Sequence, residues 1–118
     1  MDIKVIQNQL AEFADERDWN QFHSPKNLSM ALVGEATELM EIFQWLTEEE
    51  SRNIINSEKQ MSHVKEEIAD IFLFLVRLAD KLDVDIEKVS LGKIEVNRIK
   101  YPIEISKGNA EKYNRRDK

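Results

Sequence analysis

The 118-residue sequence has no cysteine. That excludes a disulfide framework and any thiolate metal site, leaves oxygen and histidine as the only metal ligands, and favours a reducing interior. Glycine and proline occur only three times and twice. Such a sequence has few of the breaks that bound strands and tight turns, while Leu, Glu, Lys, Gln and Met recur throughout, so the expected class is all-α. A long apolar run is also missing. The longest, Ile71 to Val76, is a fragment of a charged helix and falls well short of the ~20 residues that cross a bilayer. The opening MDIKVIQNQL carries an acid at position 2 and no apolar centre, so it does not read as a secretory signal. A soluble, cytoplasmic protein is expected. With no internal repeat and no linker between two cores, residues 1–102 read as one helical domain and residues 103–118 as a polar, basic tail.

The charge that is present is unevenly placed. Residues 1–90 carry 9 basic and 19 acidic groups, a balance of −10, whereas residues 91–118 carry 8 and 4, a balance of +4. An acidic body lacks the basic face that displaces counterions from nucleic acid, so no nucleic-acid partner is expected. An acidic body with a basic end suits metal cations in one place and small phosphates in another. Most of these charges belong to solvated helix faces.

Local signals place four main helices and one short one. The first is predicted from about Ile3 to Arg17, with Val5, Ile6, Leu10 and Phe13 on one side. The stretch Asp18–Asn27 follows, rich in polar and aromatic residues, and its Ser24-Pro25 pair can cap and open a second helix reaching about Leu46. Thr47 with Glu50 forms a capping-box pattern for a short helix toward Asn56, and Ser57 with Gln60 repeats it. The helix begun there carries Met61, Val64, Ile68, Ile71, Leu75, Leu78 and Leu82 at alternating three- and four-residue steps, predicting one continuous apolar stripe. Phe72, Leu73, Phe74 and Val76 lie off that stripe and read as a subunit interface. Asp85 is a candidate cap for a fourth long helix ending near Tyr101, because Pro102 cannot continue it.

Two helices carry acids in the wrong place. In the second, Leu28, Leu32, Glu35, Leu39, Ile42 and Leu46 keep core spacing, so Glu35 takes a core position, where an unpaired carboxylate loses hydration at a cost of several kcal/mol. Glu38 stands one turn on, and Glu41 another step beyond. The Met61 helix repeats the i, i+3 spacing with Glu67 and Asp70 along one edge of its stripe. If the helices lie side by side, four carboxylates converge, and a divalent cation relieves their repulsion. All-carboxylate ligation selects a hard ion, Mg²⁺ first and Mn²⁺ as a substitute. E-x-x-E alone carries little weight in a chain with 23 acids; the core placement of Glu35 and the second pair give it weight.

Four ordered blocks stand out: Phe22-His23-Ser24-Pro25-Lys26-Asn27-Leu28, ALVGEATELMEIFQW from Ala31 to Trp45, EEIADIFLFLVRLAD from Glu66 to Asp80, and KIEVNRIKYP from Lys93 to Pro102. Together they resemble MazG-like nucleotide pyrophosphohydrolases, and among them the small dCTP pyrophosphatase branch. The resemblance covers about residues 15–102; unlike long MazG proteins, this chain carries one such domain. It implies a MazG-like helical bundle completed by oligomerisation, as a homodimer or a homotetramer built from dimers. It also implies a catalytic, Mg²⁺-holding set of Glu35, Glu38, Glu67 and Asp70. The implied reaction cleaves a nucleoside triphosphate between the α and β phosphates to a monophosphate and pyrophosphate, in the clearance of surplus or non-standard nucleotides. Glu38 or Glu35 would orient or deprotonate the attacking water; spacing does not choose between them. Lys93, Asn97 and Tyr101 recur every four residues, and by resemblance they contact the polyphosphate or sugar, with Arg98 nearby. Of the aromatic candidates Trp19, Phe22, His23 and Trp45, the resemblance favours Trp19, His23 and Trp45 as contacts to the base. His63 reads as a surface histidine.

Two rivals remain open on the sequence. A non-catalytic helical dimer, antitoxin-like or a scaffold, would carry the acids as decoration of a groove and be indifferent to Mg²⁺, and a nucleotide sensor would bind without turnover. A di-iron carboxylate bundle is disfavoured, because neither His23 nor His63 has a glutamate three residues before it.

Overall fold

The structure is a computed structural model that describes residues 1–110; the end of the expected tail, residues 111–118, lies outside the described residues. Six α-helices and no strand occur among the described residues: α1 Ile3–Glu16, α2 Pro25–Phe43, α3 Glu48–Arg52, α4 Glu58–Lys81, α5 Ile86–Lys100 and α6 Ile103–Ser106. Single 3₁₀ turns at Asn20–Phe22 and Asn53–Asn56 precede α2 and α4. The class is all-α, as the composition requires.

The helix starts follow local chemistry. Ser24 Oγ accepts from the Asn27 amide at 3.1 Å and Pro25 opens α2, since its missing N–H would be an orphan there in any case. Thr47 and Glu50 close a full capping box at 3.1 and 2.8 Å, whereas Ser57 makes its own half, accepting from the Gln60 amide at 3.3 Å. Asp85 Oδ1 accepts from the Lys88 amide at the start of α5.

Two helices end on the same device. After α1 the Trp19 amide reaches back to Ala14 O at 2.8 Å and the Asp18 amide to Asp15 O. After α4 the Val84 amide reaches Ala79 O at 2.8 Å and the Asp83 amide Asp80 O. This is the Schellman pattern, with Asp18 and Asp83 both at φ 55°, a left-handed conformation that Asp tolerates better than most residues. Ala14 and Ala79 accept the long bonds and both are buried, so each turn is pinned against the core.

The chain divides into two units, Met1–Val84 and the segment from Asp85 onward. In the first, α4 is the central element, packed along α2 and also against α1. Two neighbours mean two buried faces, and here the single predicted stripe is corrected. Val64 of that stripe is buried, yet Ile68 and Leu82 are each 53% exposed and Leu75 is open as well. Val76, expected on an outer interface, is only 1% exposed, with Arg77 and Ala79 buried beside it. A period of alternating threes and fours finds one face of a helix and misses the second that another helix covers. The buried apolar core among the described residues is small: Ala14, Leu28, Ile54, Val64, Val76 and Ala79.

In the second unit α5 leaves Val89, Leu91, Ile94, Val96 and Ile99 exposed. Pro102 stops α5 as expected, but it also opens α6: its extended backbone (ψ 145°) serves as the cap, and its carbonyl accepts from the Ser106 amide at 3.0 Å. The start of the predicted tail is therefore a short helix.

Candidate metal centre

Packing of α2 along α4 brings three of the predicted acids together. Glu35 and Glu38, one turn apart on α2, and Glu67 on α4 each present a carboxylate oxygen such that all three lie within 4.8 Å of one another. Their burial is graded: Glu67 is 6% exposed, Glu35 half-buried and Glu38 exposed. Glu35 reaches the interface because it occupies the core register that continues from the fully buried Leu28. Asp70, one turn beyond Glu67 on α4, is exposed and is not among the converging three.

The cluster has an unresolved electrostatic demand. Glu35 Oε2 and Glu67 Oε2 are both buried without a hydrogen-bond partner. If both carboxyls are ionised, two anionic oxygens face each other with no donor between them. A proton on Glu35 makes one of them a donor to the other. The Glu67 carboxylate as hydrogen-bond partner is the largest reason that Glu35 is pushed up to about 7; burial and the nearby Glu38 act in the same direction. A cation answers the same demand without a proton. The donor set is all oxygen, the atoms converge and two are orphaned, so these residues fit a hard divalent ion.

An open cleft of about 450 Å³ adjoins the acids, lined by Glu38, Glu41, Ile42, Gln60 and His63. His63 is exposed, as expected for a surface position, but its Nε2 stands 3.5 Å from Glu67 Oε1, which places it on the acid cluster. Four residues separate the two on α4, so the spacing was visible in the sequence; nothing there showed that Glu67 points inward.

Of the aromatic candidates, Trp19, Phe22 and His23 lie in the polar segment between α1 and α2, and Trp45 follows the end of α2. Trp19 meets Phe13 edge-on at 5.5 Å between ring centroids, and His23 edge-on at 6.2 Å. Trp19, Phe22 and Trp45 all keep exposed faces, Trp45 most of all at 86%. Lys93 and Asn97 lie exposed on α5, and Tyr101 is the residue that caps its end, its amide bonding Asn97 O at 2.8 Å. These three belong to the second unit.

A second polar cluster, between α1 and α4, was not anticipated. Arg77 is 5% exposed. Its Nε donates to His23 Nδ1 at 3.1 Å, its Nη2 donates to Asn20 Oδ1, and its Nη1 lies 3.5 Å from Asp80 Oδ2. Asp80 Oδ1 accepts from Gln7 Nε2 at 2.6 Å, and Lys81 Nζ donates to Asn20 Oδ1 at 3.2 Å. Burial first, and then the cations Arg77 and Lys81, hold His23 below the usual histidine range. The available signal was a lone cation inside the apolar stretch IFLFLVRLA from Ile71 to Ala79.

Comparison with known proteins gives the site its context. Residues 31–115 match the MazG-like family. dCTP pyrophosphatase 1 of Bos taurus is 48% identical over 111 residues, 94% of this chain and 66% of the relative. The Homo sapiens protein of the same name is 44% identical over 111 residues, 94% and 65%. The chain thus spans just under two thirds of the length of these curated relatives. Among solved structures, a pyrophosphatase from Archaeoglobus fulgidus superposes with a TM-score of 0.79 at 35% identity, covering 86% of this chain and 94% of that one. By its helical fold, by the match of most of its length and by these relatives, the chain belongs to the MazG-like family.

Proposed function

We propose that this protein is a Mg²⁺-dependent nucleoside triphosphate pyrophosphohydrolase. It cleaves a (deoxy)nucleoside triphosphate between the α and β phosphates to the monophosphate and pyrophosphate, with dCTP or a modified nucleotide preferred, in cytoplasmic house-cleaning of the nucleotide pool. The observation that carries the reading is the convergence of Glu35, Glu38 and Glu67 with two buried oxygens left unpartnered, in a MazG-like chain whose relatives are named dCTP pyrophosphatases. Among the described residues no helix is long and apolar enough to cross a membrane, in keeping with the cytoplasmic assignment.

In this proposal Glu35, Glu38 and Glu67 hold Mg²⁺ (Mn²⁺ as substitute), with Asp70 as the fourth carboxylate. When bound, the ion neutralises charge on the phosphates and activates water. The protein's own groups do the rest. A cation held there would take the place of the proton that Glu67 and burial favour on Glu35. One carboxylate of the Glu35–Glu38 pair takes the proton of the water that attacks the α phosphorus; the bond from that phosphorus to the bridging oxygen breaks, and pyrophosphate leaves. Trp19 and Trp45 offer exposed aromatic faces on which a base can stack, with His23 as its polar contact. Lys93, Asn97 and Tyr101 contact the polyphosphate or sugar. The apolar side chains left open on α4, and separately those on α5, support assembly as a homodimer or a dimer of dimers, because such side chains gain by being covered.

The deciding experiment incubates the protein with a panel of ribo- and deoxynucleoside triphosphates, with and without Mg²⁺, beside a Glu38→Gln variant. The expected result is monophosphate and pyrophosphate that require both the metal and Glu38. If no triphosphate turns over with any divalent ion, the enzymatic reading fails; binding without products would then leave a nucleotide sensor.

A further inference from the structure

We infer that Arg77 is a positioning residue that holds His23 as a fixed hydrogen-bond donor, so that the group His23 meets on the nucleotide is an acceptor. The inference rests on the reading above in which His23 contacts the nucleotide, and it adds a residue and a recognition rule to it.

The argument starts from the hydrogen-bond inventory. A guanidinium has only donors, so the 3.1 Å bond from Arg77 Nε requires His23 Nδ1 to be the acceptor. A neutral imidazole with an unprotonated Nδ1 carries its proton on Nε2. The two nitrogens lie on different sides of the ring, so Nε2–H faces away from the buried guanidinium. A half-buried His23 leaves that donor within reach of a ligand. Protonating the ring would set an N–H against the Nε–H of Arg77, so the arrangement also disfavours the cation. Burial and the cations Arg77 and Lys81 lower the affinity of His23 for a proton, which agrees.

Arg77 cannot easily turn away from this task. Its Nη2 is engaged by Asn20 Oδ1, which also accepts from Lys81, while Asn20 Nδ2 donates to Asp15 Oδ1 at 3.4 Å. Its Nη1 faces Asp80, which Gln7 holds from α1. The planar fork is fixed on two sides, by Asn20 and Asp80, and His23 is aligned by the third. The backbone of His23 is set as well, its amide bonding Asn20 O at 3.2 Å. Side-chain and main-chain bonds therefore define the ring from one short segment. A donor in a fixed place pairs with a carbonyl oxygen or a bare ring nitrogen of a base and rejects an amino group at the same point.

The test reads the tautomer directly. In ¹⁵N-labelled wild-type protein at pH 7, His23 Nδ1 should resonate as an unprotonated nitrogen and Nε2 as a protonated one, and Nε2–H should shift when a non-hydrolysable dCTP analogue is added with Mg²⁺. In Arg77→Lys, which keeps the charge but not the fork, the His23 tautomers should mix and KM should rise about tenfold, the worth of one hydrogen bond, with kcat changed less than twofold. A wild-type His23 protonated on Nδ1 overturns the inference. So does an Nε2–H that the analogue does not shift, or an Arg77→Lys variant that alters the tautomer and leaves KM unchanged. The wild-type spectrum stands if the variant is too unstable to study. Absence of turnover in the wild type would sink the pyrophosphohydrolase reading separately, while the spectrum and its response to the analogue would still decide the role of Arg77.

Discussion

Glu67 and Arg77 stand ten residues apart on α4 and are buried to nearly the same degree, 6% and 5% exposed. Around Arg77 each arm of the guanidinium finds a partner within the chain: His23, Asn20 and Asp80. Around Glu67 one oxygen is left with none, and the nearest groups include two further acids. Burying a charge costs several kcal/mol unless geometry and hydrogen bonds offset it. At Arg77 the offset is built in. At Glu67 it has to come from outside, as a proton or a cation. The comparison separates two kinds of buried charge on one helix, the kind that completes a fold and the kind that awaits a ligand.

Three measurements would break or sharpen that distinction. The largest effect belongs to Glu67→Gln. If the acid awaits a cation, turnover should fall on the order of 100-fold or more, as for loss of a metal ligand. Without metal, the same variant should melt no lower than the wild type, since an amide relieves the carboxylate repulsion; a lower melting midpoint would mean that Glu67 stabilises the fold. Arg77→Met should behave in the opposite sense, losing about 3 kcal/mol in urea unfolding because it takes the cation from Asp80 and the donor from His23 Nδ1. A loss under 1 kcal/mol would contradict the view that Arg77 completes the fold.

The smallest effect is carried by protons and metal. Glu35, pushed up to about 7 from 4.5, binds its proton more tightly in the folded state than in the unfolded one. Its contribution to metal-free stability is therefore full below about pH 4.5 and is lost as pH rises to about 7. Denaturation of wild type and Glu35→Gln across that range isolates the contribution, as the difference between the two. Mg²⁺ competes with the same proton, so at neutral pH and above it should restore stability, by about 2.7 kcal/mol at a hundredfold excess over its Kd. A wild-type midpoint indifferent to Mg²⁺ would place Glu67 with Arg77 after all.

The sequence disclosed what is local and hid what is mutual. Ser24, Thr47, Ser57 and Asp85 announced the starts of α2, α3, α4 and α5, because a cap depends on residues two or three positions away. Glu35 announced itself by occupying an apolar register, and the Glu35–Glu38 pair with Glu67 does converge. The buried faces of α4 were only half legible, since its second face is defined by α1, whose docking leaves no period in the α4 sequence. Arg77 was hidden for the same reason: two of its partners, His23 and Asn20, lie more than fifty positions away, in a polar segment that has no regular spacing. His63 was legible as exposed but not as a neighbour of the acids, because that depends on the inward turn of Glu67.

The Arg77 cluster also bears on how such a protein can change over generations. Gln7, Asn20, His23, Arg77 and Asp80 come from three separate stretches of chain, yet each satisfies a polar group of another. A change at one position leaves a donor or acceptor stranded at the next, so single steps are penalised even where a joint replacement by apolar residues would be tolerated. Such residues should be inherited as a block. A lineage that gave up the arginine would be expected to have revised asparagine and aspartate with it, and to hold its histidine by some other means or to do without it.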